Sequence, residues 1–522
     1  MSAPFNTTRA PNHMVASADA LATQAGLAML AVGGNAVDAA IATNAAMAVV
    51  APHLCGMGGD LFALIHDGST VHALNASGRA GSGASADAVR TDGHTVMPFR
   101  HDIRTVTIPG CVDGWIALHE RFGTLPLATL LAPAIALAEI GFPASPLLTG
   151  SLARLDPQGR ENLSELSSQA KRPGDRVRRP GVASALRAVA DGGREEFYEG
   201  AFGDGLRALG EGWYTADDLA HSQAEWVTPL SASAWGVELW TIPPNSQGYL
   251  TLGAAALASN ISMPVDPNDE HSAHLLIEAA KVAGFDRPFA LHAAADGPGL
   301  LRAIASRAHL LNTERAADWP IAARRGDTTY LCTTDSNGMG ASLIQSNASG
   351  FGSWLVEPNT QINLHNRGLG FNLEPGHPAE LAPGARPPHT LSPALATRDD
   401  ELAAVFGTMG GDAQPQILLQ LAARLFHYRQ SPATAMHAGR WALAGPTTGF
   451  DTWTAPSGPI VELEGHAPPE WAAALTARGH LVSVRPEYDS DFGHAQLIIR
   501  DANGFWAGAS DPRARVGSVA GG

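Results

Sequence analysis

Apolar and polar positions along the chain recur with two periods, and the change of period marks the elements. From Ala16 to Val32 an Ala/Leu-rich stretch has helical spacing and ends at Gly33-Gly34. Asn35 stands as the N-cap of a second Ala-rich helix that runs to about Val50 and stops before Pro52. Leu61 to Ile65 and Val71 to Leu74 then read as a hairpin around Asp67-Gly68. This order sets the glycine-rich turn Cys55 to Gly59 at a strand edge, where backbone can approach another segment closely. Val106 to Ile108 predicts a short strand, and helices follow at about Val112 to Arg121 and Pro126 to Ile140. Leu155 to Pro180 is polar and rich in Arg, Pro and Ser, which predicts a loop. Helices resume near Ala183 to Ala190 and Glu195 to Leu209. Val237 to Ile242 is a strand, helix returns from Tyr249, and His271 to Ala283 is a further helix.

The second half turns on one hairpin. Thr328 to Thr334 and Met339 to Ser346 are strands, with Asn337-Gly338 as a two-residue turn between them. In that register Ser336 pairs with Met339, and Thr328 falls opposite Asn347, beside Ser346. Ala303 to Arg325 ahead of it reads as helix and then an exposed Arg-rich loop, accessible to cleavage. Pro358 to Pro387 is a long loop dense in Gly, Pro and Asn, of the kind that builds sites. Ala394 to Thr397 and Ala403 to Gly407 form another hairpin, and Gly410-Gly411 opens a helix over Gln414 to His427. A helix at about Pro469 to Arg478 and strands at Leu481 to Val484, His494 to Ile499 and Gly504 to Ala507 close the chain. Helices alternating with antiparallel hairpins place the fold in the α/β or α+β class.

Composition narrows the function. The chain has 522 residues, of which 45% are hydrophobic and 16% charged, so a large core can form. The net charge is −16, and no basic run exceeds the Arg pairs at 178–179 and 324–325, which argues against nucleic acid or an anionic membrane as partner. The three cysteines are far apart and suggest neither a disulfide framework nor a zinc site. His271 and His274 could share a helix face, but with no third ligand beside them they read as surface or capping residues, and no metal is expected. Met1 to Val15 has no hydrophobic signal region and no apolar run reaches a membrane span, so the expected location is cytoplasmic.

Two readings attach to Asp327-Thr328-Thr329. Thr favours strands and Asp the loop before one, which accounts for the triplet structurally. Alternatively, the Asp327–Thr328 bond breaks and Thr328 becomes an N-terminal nucleophile whose own α-amine is the base for its hydroxyl. Ser346 would then lie within reach of that hydroxyl. Gly410 and Gly411, ahead of a helix, offer unhindered N–H groups at its positive end for a developing oxyanion.

The rest of the chain bears on the choice. Gly326 to Tyr330, Ser342 to Ser346, Gly350 to Ser353, Ala385-Arg386-Pro387, Leu391-Ser392-Pro393, Met409-Gly410-Gly411 and Gly508 to Arg513 resemble the small-subunit motifs of the gamma-glutamyltransferase family. Gly33 to Ala40 and Pro52 to Gly59 resemble its large-subunit signature. The resemblance spans nearly the whole chain in order. It implies the four-layer αββα sandwich of N-terminal nucleophile hydrolases, which periodicity alone does not show. It also implies a self-processing proenzyme, with residues 1–327 as large and 328–522 as small subunit of one αββα core. The two fragments would form a heterodimer, and a dimer of heterodimers is open. Thr328 would be the nucleophile, Ser346 the residue holding its hydroxyl, and Gly410 and Gly411 the oxyanion donors, with no metal or organic cofactor.

Substrate recognition departs from the glutathione-cleaving pattern. The amide and acid that hold the glutamyl group correspond to Arg367 and Gly370, and two adjacent serines correspond to His389 and Thr390. A large-subunit Arg falls near Ala88, with Arg90 two residues away. An arginine suits a carboxylate bidentately and does not suit an ammonium. The chain therefore resembles the divergent branch that includes oxamate amidohydrolase and cephalosporin or glutaryl acylases. The expectation is an amidohydrolase for a small carboxylate-bearing substrate. Asn366 and Arg367 would grip the carboxylate, and His389 and Thr390 would line the amide end. Glutathione-type γ-glutamyl cleavage is the alternative, and an uncleaved, non-catalytic binding homologue is the alternative of another class.

Overall fold

In the strand Asp60–His66 every side chain is buried, so in and out cannot be told from polarity, and the pleat alone sorts the residues. Leu61, Ala63 and Ile65 enter one apolar cluster, while Phe62 and Leu64 enter another. Neighbouring strands obey the same parity: Leu331, Ala341 and Leu343 join the first, and Tyr330, Cys332 and Ile344 the second.

The computed structural model describes residues 6–317, 328–444 and 460–522. Among them, two seven-stranded antiparallel sheets are stacked. One runs Ser518–Gly521, Met14–Ser17, Thr329–Thr334, Gly340–Ser346, Asp60–His66, Val71–Ala76, Glu225–Val227. The other runs Thr8–Ala10, Trp506–Ser510, Gln496–Arg500, Glu401–Gly407, Ala394–Arg398, Val237–Thr241, Leu230–Ala234. The face of the first sheet that carries Phe62, Leu64, Tyr330, Cys332 and Ile344 meets Leu395, Val405 and Ile498 of the second. The opposite face is covered by the helices Ala20–Ala31, Ala36–Val50 and Cys111–Phe122, and Leu127–Ile140 packs outside Ala36–Val50. The helices Tyr249–Ser259 and Gln414–Ala422 cover the outer face of the second sheet, and Glu270–Gly284 packs outside them. The architecture is the αββα sandwich. Both sheets take strands from before and after residues 318–327, so a cut in that segment leaves two interlocked parts.

Several expectations change. Met14–Ser17 is a buried strand rather than the start of a helix, because it pairs on both sides, and the helix begins at Ala20 with Asp19 as N-cap. Asn35 caps as expected, in a capping box with Asp38. Residues 106–108 join no strand ladder; the Ile108 N–H binds the Arg79 carbonyl at 2.9 Å. The polar stretch 155–180 holds the short helices Pro157–Asn162 and Ser164–Gln169, the first capped by Asp156. The turn Cys55 to Gly59 leads into the interior of a sheet, not its edge. A Cβ on Gly59 would run into the Ser346 carbonyl, which is why this turn needs glycine there.

The central hairpin differs by one residue. Thr334 pairs with Gly340 and Thr329 with Gln345, so the loop is longer than two residues. Asp335 accounts for this: its N–H binds the Met339 carbonyl at 3.0 Å, and its carboxylate takes the N–H groups of Asn337 at 2.8 Å and Met339 at 3.2 Å. Gly338, at φ 82°, closes the three-residue turn. Carried one step further, this register sets Thr328 directly opposite Ser346 instead of Asn347.

Candidate active site

Thr328, Ser346 and Asp60 occupy one row across three adjacent strands. Ser346 pairs with Asp60 on its other side, and all three positions are even, so their side chains face the space between the sheets at one end of the sandwich. All three are buried. The Thr328 hydroxyl donates to Ser346 Oγ at 2.9 Å, and the Ala348 N–H donates to the same oxygen at 2.8 Å. Ser346 is thus held from both sides. Asp327 lies outside the described residues, as do Arg324 and Arg325 of the expected cleavage loop.

Asp60 was not singled out by sequence, although a charged residue opening an apolar strand was a visible signal. Its carboxylate accepts His389 Nε2–H at 3.1 Å and the Gly78 N–H at 2.9 Å, and faces His365 Nδ1 at 3.7 Å. Burial pushes its pKa up, but the two histidines and the Gly78 bond outweigh that and hold it down to about 2. His389 Nδ1 accepts the Leu391 N–H at 3.2 Å, so its proton sits on Nε2 and the ring is neutral. Burial, with the Arg367 charge nearby, draws its pKa down to about 3. Both of its nitrogens are therefore committed within the chain. The Asn366 carboxamide is similarly engaged: Oδ1 takes the Ser349 N–H at 3.2 Å and hydroxyl at 3.0 Å, and Nδ2 donates to the Phe99 carbonyl at 2.9 Å.

Arg367 is buried in a short 3₁₀ turn, Arg367–Gly370, and donates to the Thr390 hydroxyl at 3.2 Å. Burial lowers its pKa to about 10 against the opposing pull of Asp60 and Asp412. Those two carboxylates are the acids that sequence reasoning missed, and neither stands at 370. A Cβ on Gly370 would strike the Pro388 carbonyl, so an acid has no room there. Ala88 is exposed, and Arg90 is held by Glu380 at 2.9 Å, Asp87 at 2.6 Å and the Leu373 carbonyl at 2.7 Å. A cavity of about 960 Å³ opens against the turn 367–370, lined among others by Arg90, Phe99, Arg287, Leu369, Gly370 and Pro388.

Gly410 and Gly411 follow the strand Glu401–Gly407 and precede the helix Gln414–Ala422, as expected. Both have positive φ, 137° and 56°. Gly407 packs under the Tyr330 ring, which draws this loop toward the Thr328 end of the facing sheet. Away from this region, His274, Glu278 and His480 bring ligating atoms within 4.8 Å of one another. Lys281 Nζ binds Glu278 at 2.8 Å and His480 Nδ1 at 3.4 Å, so an ammonium supplies the positive charge there. His274 is buried in that cluster, against the expected surface or capping role, because it bonds His480 at 2.8 Å and the Asn312 carbonyl at 3.0 Å. No helix among the described residues is long and apolar enough to cross a membrane.

The gamma-glutamyltranspeptidase family model matches residues 22–521. Among curated proteins, the oxamate amidohydrolase proenzyme of Klebsiella pneumoniae subsp. pneumoniae is 35% identical, covering 98% of this chain and 97% of its own. The glutathione hydrolase-like YwrD proenzyme of Bacillus subtilis is 34% identical over 96% of this chain and 97% of its own. Among solved structures, cephalosporin acylase from Bacillus halodurans superposes with a TM-score of 0.89 at 34% identity, covering 100% of this chain and 98% of that one.

Proposed function

The chain belongs to the gamma-glutamyltranspeptidase family, and on that premise we propose that it is a self-processing N-terminal threonine amidohydrolase for a carboxylate-bearing amide. The observation that carries this reading is the Thr328 hydroxyl bound to Ser346 Oγ at the head of a buried strand. Breaking the Asp327–Thr328 bond yields large and small parts, residues 1–327 and 328–522, that stay together as a heterodimer through shared sheets. The new α-amine of Thr328 takes the hydroxyl proton, the oxygen attacks the amide carbonyl, and the α-amine returns that proton to the substrate nitrogen, which leaves as the C–N bond breaks and the acyl ester forms. Water then releases the acid. Gly410 and Gly411 donate to the oxyanion.

Arg367 recognises the carboxylate from beside Thr390, whose hydroxyl accepts one of its N–H groups. Asn366 and His389 are assigned to positioning, because their polar atoms are committed to Ser349, Phe99, Asp60 and Leu391. The relatives leave two substrate sizes in view, oxamate and cephalosporin-type amides. The cavity of about 960 Å³ beside Gly370 and Pro388 is much larger than oxamate, but Thr328, Ser346, Arg367 and Thr390 are not among its lining residues, so the substrate panel below decides the size. Glutathione-type cleavage remains the competing reading.

The test pairs processing with a substrate panel. Wild-type protein should run as two fragments, the smaller beginning Thr-Thr-Tyr-Leu, and Thr328→Ala should stay one chain. Oxamate, glutaryl anilide and L-γ-glutamyl anilide are then compared side by side. Cleavage elsewhere, or cleavage that persists in Thr328→Ala, refutes the nucleophile. A preference of orders of magnitude for the γ-glutamyl anilide returns the protein to glutathione-type chemistry.

A further inference from the structure

Gln247 is fully buried in the segment 243–248, and both N–H groups and the oxygen of its carboxamide are engaged. Nε2 donates to the Gly411 carbonyl at 3.0 Å and to the Thr390 carbonyl at 3.1 Å, while Oε1 accepts from Arg287 Nε at 3.2 Å. The other arm of Arg287 binds Asp412 at 2.9 Å. One side chain thus joins three loops far apart in sequence. Two further bonds lace the same loops: the Gln247 N–H donates to the His389 carbonyl at 3.0 Å, and the Ser392 N–H to the side-chain Oε1 of Gln414 at 3.0 Å.

The consequence falls on the Gly411 peptide. The Gly410 carbonyl accepts the Ala413 N–H at 3.0 Å and so points into the helix start. In a trans peptide the Gly411 N–H must point the opposite way, out of the helix. The carbonyl on the far side of Gly411 is held by Gln247. At φ 137° and 56° both residues need glycine's freedom, and neither has a side chain with which to brace itself.

We propose that Gln247, oriented by Arg287, is a positioning residue that fixes the Gly411 N–H for the oxyanion and sets its distance from Thr390. This rests on the assignment of Gly410 and Gly411 proposed above. Donors stabilise a developing charge best when they need no reorganisation at the moment of reaction. Gly411 meets that charge only in the transition state, so the effect belongs in kcat rather than KM.

The experiment uses the full processed protein and the anilide it turns over best. Gln247→Leu keeps the volume and loses all three bonds; kcat should fall roughly 10- to 100-fold with KM within about 3-fold. Gln247→Glu keeps the link to Arg287 but sets a carboxylate against two carbonyls, and should lose at least as much kcat. It carries the test if the leucine variant does not fold. A kcat within about 2-fold of wild type in a folded variant, or a raised KM at unchanged kcat, overturns the proposal. Gly411→Pro, which has no N–H to donate, separates the two levels. If it retains wild-type kcat, the oxyanion reading itself fails. If it loses kcat while Gln247→Leu does not, only the role of Gln247 fails.

Discussion

Replacing Asp60 by Asn removes one charge from the row that also holds Thr328 and Ser346, and its cost can be worked out in advance. Burial alone would raise this carboxyl; His365, His389 and the Gly78 N–H more than reverse that and hold it at about 2, against an ordinary 3.8. At about 1.4 kcal/mol per tenfold, the difference is on the order of 2 kcal/mol of folding stability. A depressed carboxyl pKa stabilises above its unfolded value, so this contribution is complete above about pH 4 and is lost as pH falls towards 2. Asn cannot ionise and lacks it at every pH. For a chain of 522 residues the entropy of unfolding is roughly 1 kcal/mol per degree, so the variant should melt about 2 °C lower at pH 7. The gap should close between pH 4 and pH 2, where the wild-type carboxyl also becomes neutral. Calorimetric midpoints of both proteins at pH 7, 5, 4 and 3 check this. A gap that is absent at pH 7, or that stays constant down to pH 3, would show that Asp60 is not the charge holding the two histidines.

The remaining predictions concern turnover. Ser346→Ala removes the acceptor of the Thr328 hydroxyl, 2.9 Å away, and should lower kcat about 10- to 100-fold with KM nearly unchanged; steady-state kinetics showing only a raised KM would make Ser346 a binding residue. Arg367→Gln should cost roughly 2–3 kcal/mol in kcat/KM, tens- to hundredfold, for carboxylate-bearing amides, and leave uncharged amides nearly unaffected. Equal losses on both substrates would mean that Arg367 supports the fold through Thr390, Asp60 and Asp412 rather than gripping a carboxylate.

Local chemistry made much of the fold legible. Asn35 before an Ala-rich run, Asp67-Gly68 between two apolar strands, and Gly410-Gly411 before a helix were read from neighbours a few residues apart, and each stands in the structure. The Thr328 hairpin was legible for the same reason, but its register was not. The Asp335 carboxylate takes two N–H groups of the turn and one from Ala36 at 3.0 Å, and that last contact crosses the chain. The strand Met14–Ser17 was missed because its ladder partners are hundreds of residues away, and an apolar run next to a helix carries no sign of them.

The site divides along the same line. Thr328, Ser346, Gly410 and Gly411 could be singled out as candidates from pattern and resemblance, since each belongs to a short stretch with its own physical logic. Whether Asn366 and His389 face a substrate could not be read, because that depends on which distant atoms use their nitrogens and oxygens first. Asp60, His365, Gln247, Arg287 and Asp412 lie on five separate segments and converge only when the two sheets stack and the loops at one end close over the row. A sequence states what each side chain can donate or accept. Only the tertiary structure decides which of those groups are spent on the chain itself and which remain for chemistry.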